Sequence, residues 1–181
     1  MKKLLFLMLI SPLWMHSQQE QLLGRPDPTP NNQTTTIDVR LSDAASIFNG
    51  GEVPNPNLIF LNDHQHGPNA QEASGQTINQ YTSNVYAGNQ VIWKINIDAE
   101  SVAAGYSAEL TQIEIKNGQS CIFGNSRIPG KGIILIGNVL EADDGGCKSE
   151  GAYPYKVRFL LRDADGTVRL FEFDPIMFVN N

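Results

Sequence analysis

Apolar and polar residues alternate with a period of two along much of the chain beyond residue 35. The clearest stretches are 37–41, 91–97, 111–115 and 155–161. This alternation is typical of β-strands that have one face in a core and the other in water. Two more continuous apolar runs, 58–61 and 132–140, predict strands that are covered on both faces.

Turn signals separate these runs. The dipeptides Asn117-Gly118, Asp144-Gly145 and Asp165-Gly166 tolerate the positive φ angles of tight turns. The last one predicts a hairpin with strands 155–163 and 167–173, followed by Asp174-Pro175 and a final strand over 176–179. Helical periodicity is weak, and we expect only one helical turn, within 98–106.

These patterns together predict an all-β fold. We expect a two-sheet antiparallel β-sandwich of jelly-roll or immunoglobulin-like type, with about eight or nine strands. Residues 35–181 would form this single domain, and the Pro-rich, polar segment 18–34 would be a flexible tether before it.

The N-terminus has the pattern of an export signal, with Lys2 and Lys3 followed by an apolar stretch over 4–14. As a helix this stretch rises only about 16 Å, which is too short for a bilayer core of roughly 30 Å. We therefore predict a cleaved signal peptide over residues 1–17, no membrane span, and a secreted or periplasmic location.

Charge and composition narrow the choice of partners. The 181 residues include 13 Lys+Arg and 19 Asp+Glu, which gives a net charge of −6, and 41% of the residues are apolar. The composition is that of a globular protein. Because nucleic acid recruits clustered basic residues and the sequence has no such cluster, we expect no nucleic-acid partner.

The only two cysteines, Cys121 and Cys147, lie 26 positions apart. In an exported protein a disulfide between them is the expected state. The alternative is a pair of free or metal-binding thiols, although the close spacing of a zinc-binding Cys pair is missing.

Asp63, His64 and His66 form the sharpest cluster of chemically active residues. A His-x-His pair is a frequent half-site for zinc or copper, with Asp63 as a neighbouring ligand. The interpretation that we favour is a polar loop after a strand. A calcium ion is a further option in the acidic loop that contains Glu141, Asp143 and Asp144, where we favour a solvated hairpin end.

Signals for catalysis are weak. The segment 105–109 begins like a nucleophile elbow around Ser107, but it lacks the closing glycine. Trp93 is in register with Val91 and Ile95, which places it in the core rather than in a sugar-binding site. We name no catalytic residue and favour a protein that is not an enzyme.

Several short stretches resemble the AidA/PixA inclusion-body protein family. They are Ile37-Asp38-Val39, 54–57, 88–93, 155–159 with 163–166, and Phe173-Asp174-Pro175. The resemblance implies a compact jelly-roll-like sandwich without established catalytic residues. The chain departs from the family in its export signal and its cysteine pair, and in having Phe-Asp-Pro where Trp-Asp-Pro is typical.

The function that we predict is that of a secreted, non-catalytic binding module, monomeric or weakly oligomeric, for a glycan or a protein surface. The alternative is a metal-binding protein or a metal-assisted enzyme that uses Asp63, His64 and His66.

Overall fold

The structure is a computed structural model that describes residues 34–51, 54–64, 71, 76–147 and 150–180. The predictions for the signal peptide and for nearly all of the tether therefore lie outside the described residues. Among the helices in the described ranges, none has the length and apolar character that crossing a membrane requires.

Ten β-strands and two short helices make up the described ranges. The strands are β1 (Thr35–Leu41), β2 (Ile59–Asn62), β3 (Thr82–Tyr86), β4 (Gln90–Ile97), β5 (Ser107–Ile115), β6 (Arg127–Gly132), β7 (Ile134–Asn138), β8 (Gly151–Arg162), β9 (Val168–Phe173) and β10 (Ile176–Asn180). The helices are α1 (Ala44–Asn49) and α2 (Ala99–Ala103), and single 3-10 turns span Lys116–Gly118 and Ala142–Asp144.

The strands form two sheets that pack as a sandwich, which confirms the predicted all-β class. The first sheet has four strands in the order β2-β1-β4-β7. The second has six, in the order β3-β10-β8-β5-β6, with β9 also paired to β8. The β1–β4 and β3–β10 pairs are parallel, so both sheets are mixed. The sequence predicted antiparallel sheets, and this part of the prediction is corrected. Alternation reports which face of a strand is buried, and it carries no information about strand direction.

The predicted C-terminal hairpin is confirmed as β8 and β9. Its turn closes where the N–H of Gly166 donates to the Asp163 carbonyl at 3.1 Å, and Gly166 has a φ of +83°. The backbone N–H of Thr167 also donates to the Asp163 carboxylate at 2.8 Å. The segment 163–166 is thus a turn, as the sequence indicates.

The inward-facing residues of both sheets form one core. Trp93 is fully buried, as predicted, and its ring lies 5.7 Å from that of Phe123 and 6.2 Å from that of Tyr155. Phe159 stacks on Phe171 at 5.5 Å. Burial of such large rings is the main favourable term in folding, and it raises the pKa of the Tyr155 hydroxyl.

A disulfide joins Cys121 and Cys147, as predicted, with their Cα atoms 4.9 Å apart. Cys147 is buried in the core cluster, and Cys121 packs against that cluster. The bond connects the loop after β5 to the segment before β8. By the chain-entropy model a closed loop of this length stabilises the fold by roughly 3–4 kcal/mol.

One polar cluster holds the start of both helices. The Asp98 carboxylate accepts hydrogen bonds from the backbone N–H and the hydroxyl of Ser101, at 2.8 and 2.6 Å, and from the N–H of Asp43 at 2.9 Å. The Ser101 hydroxyl oxygen in turn accepts the N–H of Ala44 at 2.9 Å. Helix α2 falls within the predicted helical turn. Helix α1 is too short for a periodicity signal, and the Asp43 carboxylate, which accepts the N–H of Ser46 at 3.0 Å, caps it together with these distant groups.

The Asp98 cap should make stability depend on pH. Hydrogen bonds from Ser101 hold the pKa of Asp98 below its ordinary value. Its stabilisation is therefore complete above about pH 4 and is lost as the pH falls through the folded-state pKa. We expect Asp98→Ala to lower the free energy of unfolding by about 1 kcal/mol at neutral pH.

Urea unfolding of both proteins at neutral pH and at about pH 3 measures this effect. The difference between wild type and Asp98→Ala should shrink in acid, and Asp165→Ala, in an exposed turn, serves as the control. An equal difference at both pH values would contradict the capping role.

Candidate functional site

The polar side chains that remain accessible on the four-stranded sheet lie on its outer surface. We call this surface the polar face and define it by the following residues of β1, β2 and β4 and of the loop after β2. They are Asp38, Arg40, Phe60, Asn62, His64, Lys94 and Asn96. Because successive strand residues alternate between faces, the even-numbered residues of these strands point away from the core.

The sheet register arranges these side chains in two rows. In one row Asp38 lies between Asn62 on β2 and Lys94 on β4. In the next row Arg40 lies between Phe60 and Asn96, and its guanidinium stands 5.0 Å from the centre of the Phe60 ring. The contact between Arg40 and Phe60 is a cation–π interaction, which orders a flexible side chain over an apolar ring.

His64 joins the polar face from the end of β2. Its Nε2 lies 2.6 Å from the Asp38 carboxylate, and the side chains of His64 and Asp38 are 53% and 26% exposed. The backbone N–H of His64 donates to the Asn62 side chain at 2.8 Å, which stabilises a positive φ of 61° at His64. Asp38 could not be predicted as the partner of His64, because the pairing of β1 with β2 is what brings the two residues together.

Asp63 has a different environment from His64. Its side chain is only 2% exposed, and its two carboxylate oxygens accept hydrogen bonds from the Tyr81 hydroxyl at 2.9 Å and from the N–H of Asn84 at 3.0 Å. Burial, followed by the nearby Asp63 charge, raises the pKa of Tyr81. The Asp63 carboxylate thus connects the end of β2 to the edge strand β3 of the other sheet.

The predicted metal ligands therefore do not share one environment. Asp63 is buried and hydrogen-bonded, His64 is at the surface beside Asp38, and His66 lies outside the described residues. Within the described ranges, His, Cys, Asp and Glu side chains do not gather in any group of three suited to a metal ion. Glu141, Asp143 and Asp144, considered for calcium, are exposed around the 3-10 turn after β7.

The outer face of the six-stranded sheet has its charges paired with each other. Glu114 contacts Arg127 at 3.1 Å and Arg158 at 3.3 Å, and Glu172 contacts Arg158 at 3.1 Å and Lys156 at 2.5 Å. Lys156, then Arg158, lowers the pKa of the Glu172 carboxyl. These contacts neutralise the charges of this face among themselves.

Comparison with known proteins shows the fold. A solved structure described as an inclusion body protein (PixA) from Burkholderia cenocepacia J2315 superposes with a TM-score of 0.50. The match covers 84% of this chain and 98% of that chain, at 10% sequence identity. No family model matches the sequence, and no curated protein matches it either.

The buried position of Asp63 generates a prediction about stability. Asp63→Ala removes the acceptor of two buried hydrogen bonds, from the Tyr81 hydroxyl and from the N–H of Asn84. We expect a loss of about 1–3 kcal/mol in the free energy of unfolding, measured by urea titration. Asp38→Ala, which removes an exposed contact with His64, should cost less than about 1 kcal/mol. Equal losses in the two variants would contradict the structural role of Asp63.

Proposed function

We propose that this chain is an exported β-sandwich that binds a glycan without transforming it, and that the polar face is its binding surface. The observation that carries the proposal is the fixed pair of polar rows on the outer surface of β1, β2 and β4. Backbone register holds the groups of each row side by side, so they present a preorganised set of donors and acceptors.

The chemistry of the polar face suits sugar hydroxyls. Asn62 and Asn96 offer both donors and acceptors, Asp38 offers acceptors, and Arg40 and Lys94 offer donors. A sugar hydroxyl uses both roles. A protein surface is the other ligand to test. The centre of a protein–protein interface is usually depleted of charged residues, which favours the glycan.

The contacts of the chemically active side chains support a function without catalysis. Both cysteines form the disulfide. Asp63, the buried carboxylate of the predicted site, already accepts two hydrogen bonds. His64 rests against Asp38, and no nucleophile lies beside it in the described contacts.

Export is supported by the sequence of residues 1–17 and fits the disulfide, which persists in oxidising compartments. We also propose a distant relationship to the AidA/PixA proteins. Its support is the order of short motifs along the sequence together with the shared fold.

The glycan proposal predicts that binding depends on the polar face. A glycan array, followed by calorimetry with the retained oligosaccharide, should show affinity that Arg40→Ala with Asn96→Ala reduces at least about tenfold, a loss of about 1.4 kcal/mol. Arg162→Ala, an exposed arginine on the other sheet, is the control and should leave binding unchanged.

Two outcomes would count against a glycan on this surface. One is an array on which no glycan is retained, and the other is equal binding by the double variant and the control. A protein ligand that is lost in the same double variant would instead support the protein-surface alternative.

Metal binding is the second proposed function, and the contact between Asp38 and His64 favours it. A carboxylate that holds one ring nitrogen of a histidine is the common support of a metal-binding imidazole, whose other nitrogen then faces the ion. His64 and His66 are the proposed ligands for zinc or copper, with Asp38 as the supporting carboxylate. Asp63 is not among them, because its two buried oxygens accept hydrogen bonds from Tyr81 and Asn84.

Calorimetric titration with Zn²⁺ and Cu²⁺ tests this second function. We expect the wild type to give heat at micromolar metal and the double variant His64→Ala with His66→Ala to give none. Asp38→Asn should bind the metal at least about tenfold more weakly than the wild type. Thermal unfolding of the variants checks that they remain folded. Absence of heat in the wild type would rule out the site.

A further inference from the structure

Strand β7 forms one edge of the four-stranded sheet, and β4 is its ladder partner among the described residues. At one end of this ladder the N–H of Ile95 donates to the Ile133 carbonyl at 2.9 Å, and at the other the N–H of Val139 donates to the Asn89 carbonyl at 2.9 Å. Backbone bonding alternates along an antiparallel strand. The N–H and C=O groups of Ile134, Ile136 and Asn138 therefore point away from β4.

Two other edge strands have buried side chains that occupy their backbone groups. On β2, the Gln71 amide accepts from the N–H of Leu61 at 2.6 Å and donates to the Ile59 carbonyl at 3.3 Å. On β3, the Asp63 carboxylate accepts from the N–H of Asn84. Both side chains stand where a further strand would otherwise pair.

The remaining edge strands carry residues that discourage pairing. Strand β6 contains Arg127, Pro129 and Lys131, and β9 contains Arg169 and Glu172. Charges and proline on an edge strand are the usual protection against edge-to-edge association. Strand β7 lacks both, since residues 132–140 include neither a charged residue nor a proline.

The side chains around β7 are also exposed and apolar. Ile133, Ile134 and Ile136 are 56%, 45% and 50% exposed, and they are three of the six large apolar residues exposed in the described ranges. The apolar run 132–140 predicts a strand covered on both faces. Within one chain this prediction is wrong for the outer face, because the described residues leave the side chains of Ile134 and Ile136 accessible.

We propose that the edge of β7 pairs antiparallel with β7 of a second copy of this chain, which joins the two four-stranded sheets into one continuous sheet. A two-fold axis at Ile136 places Ile136 opposite its equivalent and Ile134 opposite Asn138. The two-fold axis generates the second pair twice, so three pairs use the outward backbone groups and supply up to about six hydrogen bonds. The same register sets Ile136 beside its equivalent, and Ile134 beside Asn138, as cross-strand neighbours on the outer face.

The charges at the two ends of β7 are complementary in this arrangement. Lys94 and Lys131 lie near the start of the strand, where Lys94 pairs in register with Ile134. Glu141, Asp143 and Asp144 follow its end, and all of these charged side chains are exposed. Antiparallel pairing brings the basic end of each copy to the acidic end of the other, and the register places residue 131 opposite residue 141. A parallel arrangement would set like charges together.

The size of the contact predicts its strength. Stable interfaces bury about 1,200–2,000 Å² in total, and one five-residue strand pair buries less. We therefore expect a dimer that dissociates on dilution, with a dissociation constant on the order of micromolar.

Sedimentation velocity of the exported chain, without residues 1–17, from about 1 to about 500 µM, measures the association. We expect the mass to rise toward twice that of the monomer. Ile136→Lys should weaken association at least about tenfold. The control Leu170→Lys, which changes an equally exposed residue on β9, should have no effect, and thermal unfolding verifies that both variants fold.

A charge exchange tests the orientation. Lys131→Glu should weaken the dimer, and the combination of Lys131→Glu with Glu141→Lys should restore it. The proposal is overturned if the wild type stays monomeric at every concentration, if Ile136→Lys associates as the wild type does, or if the charge exchange fails to restore association.

Discussion

A β-sandwich must supply hydrogen-bond partners, or water, to the backbone groups along the edge strands of its two sheets. This constraint explains the placement of Gln71 and Asp63. An N–H or C=O group that is removed from water without a partner costs free energy comparable to a lost hydrogen bond. The Gln71 side chain is such a partner for the backbone of β2, and the Asp63 side chain is one for the backbone of β3. Both are almost completely buried, which is unusual for these residue types and is explained by their backbone partners.

The same constraint changes the interpretation of the conspicuous stretch 62–67. In the sequence, Asp63 looks like a member of a ligand group with His64 and His66. In the structure its carboxylate spans from the end of β2 to the edge of β3, while the neighbouring His64 turns outward to Asp38. Adjacent residues thus serve two unlike purposes, one in holding the sandwich together and the other on its surface.

The outer surface of the four-stranded sheet is divided along its width. Over β1, β2 and β4 it carries charged and amide side chains, and toward β7 it becomes apolar, with Ile92 paired to Ile136. The proposed ligand and the proposed second copy would therefore occupy neighbouring areas of one sheet. Self-association along β7 would place two polar faces on a single continuous sheet, an arrangement that raises the avidity for a repetitive ligand.

Features that depend on local pattern could be predicted from the sequence. The period of two identified strands such as β4 and β8, the Asp165-Gly166 pair located the hairpin between β8 and β9, and the register of Trp93 with Val91 and Ile95 placed it in the core. The disulfide was predicted from the presence of two cysteines and a predicted export signal. These inferences succeed because they require only neighbouring residues or a single possible pairing.

Features that depend on which strands become neighbours were decided by the tertiary structure. The parallel pairing of β1 with β4, the contact between Asp38 and His64, and the capping of α1 by Asp98 and Ser101 join residues far apart in the chain. The edge position of β7 was also decided by the tertiary structure, because an apolar run looks the same in a strand at the centre of a sheet and in a strand at its edge. The sequence by itself therefore determined the sandwich and its buried faces. The order and direction of the strands, and hence the polar face and the exposed edge, were set by the long-range packing of the two sheets, which a local pattern does not encode.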